Sequence, residues 1–175
     1  ADGNKQGGET LVNTHTASFQ RSQQITALSD GGWVITWHSE GQDNSGYGVY
    51  AQAYNADGSK QGGETLVNTH TASNQQSPQI TALSDGGWVI TWQSLDQDGS
   101  GYGVYAQAYN ADGTLQGGET LVNTHTIDYQ QYPQITALSD GGWVITWQSL
   151  DQDGSDSGVY AQAYNADGTL QGGET

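Results

Sequence analysis

An acidic loop that occurs twice in the chain carries residue types able to bind a metal ion. Its sequence is Asp-Gln-Asp-Gly-Ser, at 96–100 and 151–155. Oxygen ligands at alternate positions around a glycine turn are what Ca²⁺ requires. The alternative is a solvated acidic turn, because the loop lacks the distal bidentate glutamate and the flanking helices of an EF-hand. The candidate calcium ligands are Asp96, Asp98, Ser100, Asp151, Asp153 and Ser155.

Aromatic side chains in irregular segments are a second candidate for chemistry. Tyr47 and Tyr102 are flanked by glycine in a loop, and Tyr129 and Tyr132 lie where the last two repeats join. A tyrosine ring offers a flat apolar face with a polar tip, on which a sugar ring can stack. We therefore predict these four tyrosines as ligand-binding residues. The six tryptophans alternate with apolar neighbours on regular strands, which favours core packing instead.

Catalytic chemistry has little support in the sequence. Aspartate pairs occur in repeated loops rather than in an asymmetric pocket that would separate two pKa values. There is no cysteine, and no nucleophile motif, phosphate loop or zinc-protease signature is present. His15, His70 and His125 recur one per repeat, so converging metal ligands are not expected. We predict a protein that is not an enzyme, because identical modules suit multivalent binding or a scaffold.

The charge balance limits the possible partners. Three Lys and Arg residues against 19 Asp and Glu residues give a formal net charge of −16. A phosphate backbone or an anionic membrane surface needs clustered basic residues. No apolar run approaches the roughly 20 residues of a membrane helix. We therefore expect neither nucleic-acid binding nor membrane insertion, and divalent cations would screen this charge.

The chain consists of a repeated unit of 55 residues. The segments Leu-Val-Asn-Thr-His-Thr and Gly-Val-Tyr-Ala-Gln-Ala-Tyr each occur three times at that spacing. Residues 1–10 copy the end of a repeat, and full repeats follow at 11–65, 66–120 and 121–175. We expect the sequence to be a slice of a longer array. The expected partners are further copies of the repeat, in the same chain or in a homo-oligomer.

Each repeat predicts four β-strands and no helix, because its apolar residues alternate with a period of two. The Asp85-Gly86 pair predicts a two-residue hairpin in which Leu83 pairs with Trp88. The fourth strand is polar and glycine-rich, as suits an outer edge. The predicted strands of the second repeat are 79–83, 88–94, 104–109 and 115–122.

The predicted sheet is partly apolar on both faces. One face carries tryptophan, and the other carries small residues such as Val104, Ala106 and Ala108. Such a sheet must be covered on both sides, and the simplest cover is the next repeat. We therefore predict an all-β protein of tandem four-stranded antiparallel units that form β-propeller-like blades. The alternatives are an open β-solenoid-like stack or fibre and a β-trefoil, since three blades are too few for an ordinary propeller.

Differences between the repeats gather at one end of the predicted sheet. Most lie in the loop between the second and third strands or in the link between repeats, whereas the two tight turns are identical. The functional hypothesis is a recognition surface, and the alternative is that loops simply tolerate change. The surface would contain Phe19, Arg21, Tyr47, Tyr102, Tyr129, Tyr132, Asp96, Asp98, Asp128, Asp151, Asp153 and Asp156.

Residues 80–123 resemble the tandem repeats of large secreted bacterial adhesins of the RTX-like, hemolysin-type calcium-binding class. The resemblance rests on a Gly-Gly-aromatic strand, an Asp-x-Asp-Gly-Ser-Gly loop and a Gly-x-Tyr-x-Gln strand, and it covers all three repeats. It implies secretion to the bacterial cell surface, a calcium-rich extracellular setting and an adhesive or matrix role. The Gly-Gly-x-Gly-x-Asp nonapeptides of RTX calcium rolls are absent, so calcium binding is not carried over.

These observations predict a non-enzymatic extracellular module of a structural or adhesive bacterial surface protein or filament, with calcium stabilisation as an open question. One alternative is a lectin-like propeller that binds cell-surface glycans at the variable end. Another is a designed or amplified self-assembling propeller without a ligand. Glycan binding that is lost on Tyr102→Ala would favour the lectin, whereas filaments without glycan binding would favour the structural role.

Overall fold

Every regular element in residues 7–175 is a β-strand. The computed structural model describes these residues, so the first six positions of the 1–10 lead lie outside the described part. Within it, no helix has the length and apolarity needed to cross a bilayer. The strands are β1 Gln20–Ala27, β2 Trp33–Glu40, β3 Tyr47–Tyr54, β4 Lys60–Leu66, β5 Gln75–Ala82, β6 Trp88–Leu95, β7 Tyr102–Tyr109, β8 Leu115–Leu121, β9 Gln130–Ala137, β10 Trp143–Leu150, β11 Ser157–Tyr164 and β12 Leu170–Gln171.

The strands form three separate four-stranded antiparallel sheets, each in chain order. We name them blade 1 (β1–β4), blade 2 (β5–β8) and blade 3 (β9–β12). The first strands of neighbouring blades contact one another, and the fourth strand is the outer edge of each blade. This confirms the predicted class of all-β, propeller-like blades.

The first hairpin of each blade differs from the prediction by one residue. In blade 2, the Leu83 N–H donates to the Gly87 carbonyl at 2.8 Å, and Ala82 pairs with Trp88. The predicted pairing of Leu83 with Trp88 is therefore wrong. Gly86 has a φ of 92°, and this left-handed residue closes a three-residue loop with a bulge, a common hairpin type.

This register decides which residues share a face, because a slip of one residue moves side chains to the other side of a sheet. The tryptophan face of blade 2 carries Ile80, Ala82, Trp88, Ile90, Trp92, Tyr105 and Tyr109. The small face carries Thr81, Val89, Thr91, Val104, Ala106 and Ala108.

The blades stack with unlike faces together, as the sequence predicted. The small face of blade 1 packs against the tryptophan face of blade 2, which we name the first seam. Blades 2 and 3 repeat this packing in the second seam. Trp92 and Ile90 are fully buried in the first seam, as are Trp147 and Ile145 in the second. Each such side chain contributes about 1.5–3 kcal/mol through the hydrophobic effect, so the seams hold the stack together.

The first strand of each blade begins earlier than predicted and contains a β-bulge. In blade 2 the register shifts between Gln76 and Gln79, and Ser77 has a φ of 57°. Pro78 follows directly, and a bulge is a position where a proline need not donate to the ladder. Residues 75–78, which were predicted as part of a link, thus belong to the innermost strand. The end of the variable region therefore lies in this strand, at the seam.

Candidate functional site

The variable end of the second seam is formed by two segments from different blades. The loop after β6 meets the link before β9, where the Asp128 N–H donates to Ser100 Oγ at 3.1 Å. A Cβ at Gly101 would collide with the Asp128 carbonyl oxygen, so this close approach requires glycine. Loop and link therefore form one continuous surface.

Three of the four predicted ligand-binding tyrosines meet on this surface. The ring centroids of Tyr102 and Tyr129 are 6.0 Å apart, with the planes inclined at 45°. Tyr129 and Tyr132 are 43% and 55% exposed, whereas Tyr102 is half-buried. The pKa of Tyr102 is raised, chiefly because the phenol is buried, and the neighbouring phenols of Tyr129 and Tyr132 raise it further. We name these three residues the tyrosine cluster.

The bulge in β9 sets the position of Tyr132. This residue has a φ of 57°, in the left-handed region that side chains other than glycine rarely adopt. Its N–H donates to Gln93 Oε1 of the neighbouring blade at 2.9 Å. A bulge re-aims one side chain relative to the strand, and here it brings an aromatic ring to the seam. Ser22 in blade 1 and Ser77 in blade 2 occupy the equivalent bulge positions.

The Tyr102 hydroxyl is fixed by blade 2 itself. It accepts a hydrogen bond from Gln76 Nε2 at 3.1 Å. Because Gln76 lies on the innermost strand, this bond ties the cluster to the rigid centre of the stack. The surface around the rings is therefore preorganised rather than a mobile loop tip.

The fourth predicted tyrosine, Tyr47, lies at the first seam and not in the cluster. Its N–H donates to Asn74 Oδ1 at 3.1 Å, and its ring meets the edge of His38 at 4.7 Å between centroids. His38 Nδ1 accepts the Ser77 N–H at 3.3 Å. His38 was not among the predicted site residues; the available signal was that it stands where the other repeats have Gln93 and Gln148.

His38 is held neutral at this seam. Burial lowers the pKa of its imidazole to about 4, and the positive charge of Arg21 adds to the effect. A neutral imidazole can keep Nδ1 free as an acceptor, which the bond from Ser77 requires.

The acidic loops place their two aspartates differently. Asp96 is exposed, whereas Asp98 Oδ1 accepts the Ser100 N–H at 3.3 Å and Oδ2 is buried without a partner. Burial raises the pKa of Asp98. Asp153 accepts the Ser155 N–H in the same way, at 3.2 Å, in the loop that begins at Asp151.

These loops do not show a set of acidic groups around one point. Across residues 7–175, no three His, Asp or Glu side chains are arranged so that they could hold a metal ion. In each loop the second aspartate accepts the N–H of the serine two residues later, which stabilises a turn. Calcium binding therefore stays a prediction from the sequence.

A glutamate that the sequence did not single out anchors each acidic loop. In blade 2, Glu119 Oε1 accepts Gln97 Nε2 of the loop at 2.5 Å, and Oε2 accepts the Thr69 N–H of the incoming link at 2.6 Å. Glu64 and Glu174 repeat the arrangement with Gln42 and Gln152. The invariance of Gln and Glu in all three repeats was the only available signal.

Narrow clefts lie at the opposite end of both seams, where the tight turns are. The cleft between blades 2 and 3 has a volume of about 150 Å³ and is lined by Gly117, Trp143 and Tyr164. Trp143 is only 3% exposed and stacks on Tyr164 at 5.5 Å between centroids. Ligand pockets usually exceed about 300 Å³, and the Trp143 ring at this cleft is almost fully buried. The tyrosine cluster is the stronger candidate site.

Solved structures with this fold include carbohydrate-active proteins. The α-L-arabinofuranosidase from Lactobacillus brevis matches with a TM-score of 0.58 at 13% identity, over 94% of this chain and 58% of that one. A family 117 glycoside hydrolase from Zobellia galactanivorans matches at 0.55 and 11% identity, over 87% and 54%. A fucose lectin from Kordia zhangzhouensis, in complex with methyl-fucoside, matches at 0.50 and 11% identity, over 86% and 96%.

These similarities show the fold alone. The chain spans little more than half the length of the two hydrolases. No protein-family model matches the chain, and no curated protein matches it. The three sheets are thus blades of the β-propeller type, and the resemblance to secreted adhesins stays a prediction.

Proposed function

We propose that this chain is a carbohydrate-binding propeller module and that the tyrosine cluster is its glycan-binding surface. The observation that carries the proposal is the meeting of Tyr102, Tyr129 and Tyr132 from two blades on one exposed surface. The fucose lectin of similar fold supports it at the level of the fold.

The geometry of the cluster suits a sugar ring. A pyranose has an apolar face of C–H groups and a rim of hydroxyls, so it binds where an aromatic face adjoins polar groups. The inclined rings of Tyr102 and Tyr129 form such an apolar corner. Tyrosine hydroxyls and the Gln76 amide supply donors and acceptors at its edge.

The charge of the surface limits the class of glycan. The chain has a net charge of −16, and the cluster adjoins Asp128 in the link and the exposed Asp96 in the loop. Carboxylates repel anionic ligands and favour neutral ones. We therefore propose neutral sugars, such as hexoses and deoxyhexoses, rather than sialylated or uronic-acid glycans.

We further propose that the module binds sugars without cleaving them. Glycoside hydrolysis generally uses two carboxyl groups that flank one glycosidic bond. Asp98 has a raised pKa, as a general acid would, but its Oδ2 is buried beneath the loop and out of reach of a sugar. An adhesive role at a bacterial cell surface is compatible with glycan binding and is proposed with it.

A glycan array probed with the 175-residue protein tests this function. We expect signal on neutral glycans, loss of it in the double variant Tyr129→Ala and Tyr132→Ala, and retention in Tyr129→Phe, which keeps the ring. Leu115→Ala, at a 58% exposed position on the outer strand, is the matched control. Full binding by the double variant, or no binding of any glycan by the wild type, would overturn the proposal.

A further inference from the structure

The two terminal blades each leave one apolar face uncovered. On the small face of blade 3, Val159 is 77% exposed, whereas its equivalents Val49 and Val104 are fully buried in the seams. On the tryptophan face of blade 1, Ile25 is 65% exposed, and Ile35 is only half-buried where Ile90 is fully buried. These contiguous apolar faces mark an interaction surface.

The two uncovered faces match each other. Within the chain, the small face of each blade packs on the tryptophan face of the next, twice and with the same residues. The uncovered small face of blade 3 carries Val144, Val159 and Ala161, and the uncovered face of blade 1 carries Trp33 and Ile35. Each is a further copy of a surface that already has a partner in the fold.

We propose that, in a protein of these 175 residues, a second copy of the chain covers both faces, so that two chains close one six-bladed ring. Propellers usually contain 4–8 blades, and each chain here contributes three. Two copies therefore reach a normal blade number. The contact joins two different surfaces, and it is used twice because the rotation closes. We name it the ring seam.

The groups that form a hydrogen bond across each internal seam are also present on the two faces of the ring seam. In those seams the bulge N–H of the following blade donates to the side chain at the position of His38 or Gln93. Across the ring seam the equivalent groups are the Ser22 N–H and Gln148. Ser22 has the bulge conformation, with a φ of 54°, and Gln148 is exposed in the single chain.

The residues peculiar to the ring seam are complementary in charge. In the second seam the loop position before Tyr102 faces Asp128 and Tyr129 in the link of the next blade. In the ring seam the corresponding positions are Asp156 in blade 3 and Ser18 and Phe19 in blade 1, and the Arg21 guanidinium stacks on the Phe19 ring. Arg21 is one of only three basic residues in the sequence, and it lies on the surface that would face the acidic loop of the partner.

The ring seam must be wider than the internal seams at the variable end of the blades. A Cβ at Gly46 or Gly101 would collide with the following link, and Asp156 has such a Cβ. Phe19 and Arg21, which stand where blade 2 has Asn74 and Gln76, are long enough to fill the wider gap. The Arg21 guanidinium stacks 3.8 Å above the Phe19 ring, so the two side chains form one unit facing the acidic loop.

The solution mass of the 175-residue protein tests the proposal. We expect sedimentation equilibrium to give twice the 18.5 kDa of one chain. Val159→Arg should return the protein to a monomer, since Val159 is exposed in the single chain and the substitution leaves its fold intact. Leu115→Arg, at an exposed position away from both end faces, is the matched control and should remain dimeric.

The charge pair gives a second, finer test. Arg21→Glu should weaken the dimer about tenfold, the factor that corresponds to 1.4 kcal/mol, and adding Asp156→Arg should restore it. A monomer at about 100 µM, far above the Kd of a stable interface, would overturn the proposal. So would a dimer that survives Val159→Arg, or a ladder of larger species. The tyrosine cluster lies within one chain, so glycan binding by the Val159→Arg monomer is independent of this outcome.

Discussion

The first and second seams have the same core but different polar ends. Both bury a tryptophan face against a small face. At the variable end, however, the first seam has His38 as the acceptor for the bulge N–H, and the second seam has Gln93. The first seam also lacks the companions of its tyrosine, because Asn74 and Ser77 stand where Tyr129 and Tyr132 complete the cluster.

This difference shows that the repeat combines a shared core with a variable surface. The shared core residues are hidden from solvent, so a change there would lower the stability of every seam. The variable residues lie on a surface whose backbone is already fixed by the Gly101 approach and by the bulge. They can therefore change the chemistry of one seam without altering the stack.

The largest effect should come from removing a seam tryptophan. Trp92→Ala in the first seam and Trp147→Ala in the second should each lower the free energy of unfolding by about 3–5 kcal/mol, the usual cost of such a cavity. Trp33→Ala should cost less when it is made in the Val159→Arg monomer, because the Trp33 ring is only half-buried in the single chain. Urea denaturation followed by circular dichroism measures all three. Clearly unequal losses at Trp92 and Trp147 would contradict the equivalence of the two cores.

Acid should weaken the first seam but not the second. The pKa of His38 is lowered from 6.5 to about 4 in the folded protein, so the fold favours the neutral imidazole. Its contribution to stability is fully present above pH 6.5 and is lost as the pH falls through the unfolded value toward 4. We expect a loss of about 1–2 kcal/mol over this window, less than the full shift implies because solvent reaches part of the ring.

His38→Gln is the variant that isolates this effect. Glutamine is the residue of the second seam, where its Oε1 accepts the bulge N–H, so the hydrogen bond is retained and the titration is removed. Thermal melts between pH 7 and pH 4 should show a smaller fall for the variant than for the wild type. Parallel curves for the two proteins would contradict the role of His38.

Glycan binding should be transferable from the second seam to the first. The triple variant His38→Gln, Asn74→Tyr and Ser77→Tyr gives the first seam the glutamine acceptor and the two link tyrosines of the second, beside the Tyr47 already present. Ser77 tolerates the change because its φ of 57° equals that of Tyr132. Isothermal titration with a glycan identified on the array should give two sites per chain instead of one. An unchanged stoichiometry would show that the three tyrosines do not by themselves make the site.

The smallest effect should come from calcium. We expect Ca²⁺ to raise the melting temperature by only about 1–2 °C, since an ion stabilises a fold in proportion to how tightly it binds the native state. Asp96 is exposed, and Asp98 Oδ2 is buried, so the loop does not present both carboxylates together. Melts with calcium and with a chelator measure the shift. A rise of many degrees that Asp98→Asn abolishes would establish the sequence-based hypothesis of a structural calcium site.

Much of the secondary structure of each blade could be predicted from the local sequence pattern. Alternating apolar residues in 88–94 and the Asn110–Gly113 turn identified the second and third strands, and the Gly113 N–H donates to the Asn110 carbonyl at 2.9 Å as a turn of that kind requires. The register of the first hairpin did not follow, because two-residue and three-residue loops both suit an Asp-Gly pair. The bulge at Ser77 was missed since nothing in Ser-Pro by itself separates a link from an interrupted strand.

The candidate site was only partly predictable. The sequence identified the four tyrosines by their type and by their glycine-flanked or variable segments. It could not show that three of them meet and that Tyr47 stands apart, because they come from different blades. His38 and Glu119 were missed for the same reason, as their partners Ser77 and Thr69 lie at least 39 positions away.

The amino-acid sequence is enough to establish the repeat of 55 residues, the four strands of each blade and the two apolar faces that force the blades to stack. These properties depend on backbone conformation and hydrophobic period, which are set within a few residues. The packing of the blades establishes which side chains meet at each seam, which faces stay uncovered and where the tyrosine cluster forms. Those outcomes depend on contacts between separate sheets, whose geometry is fixed by packing across the whole stack.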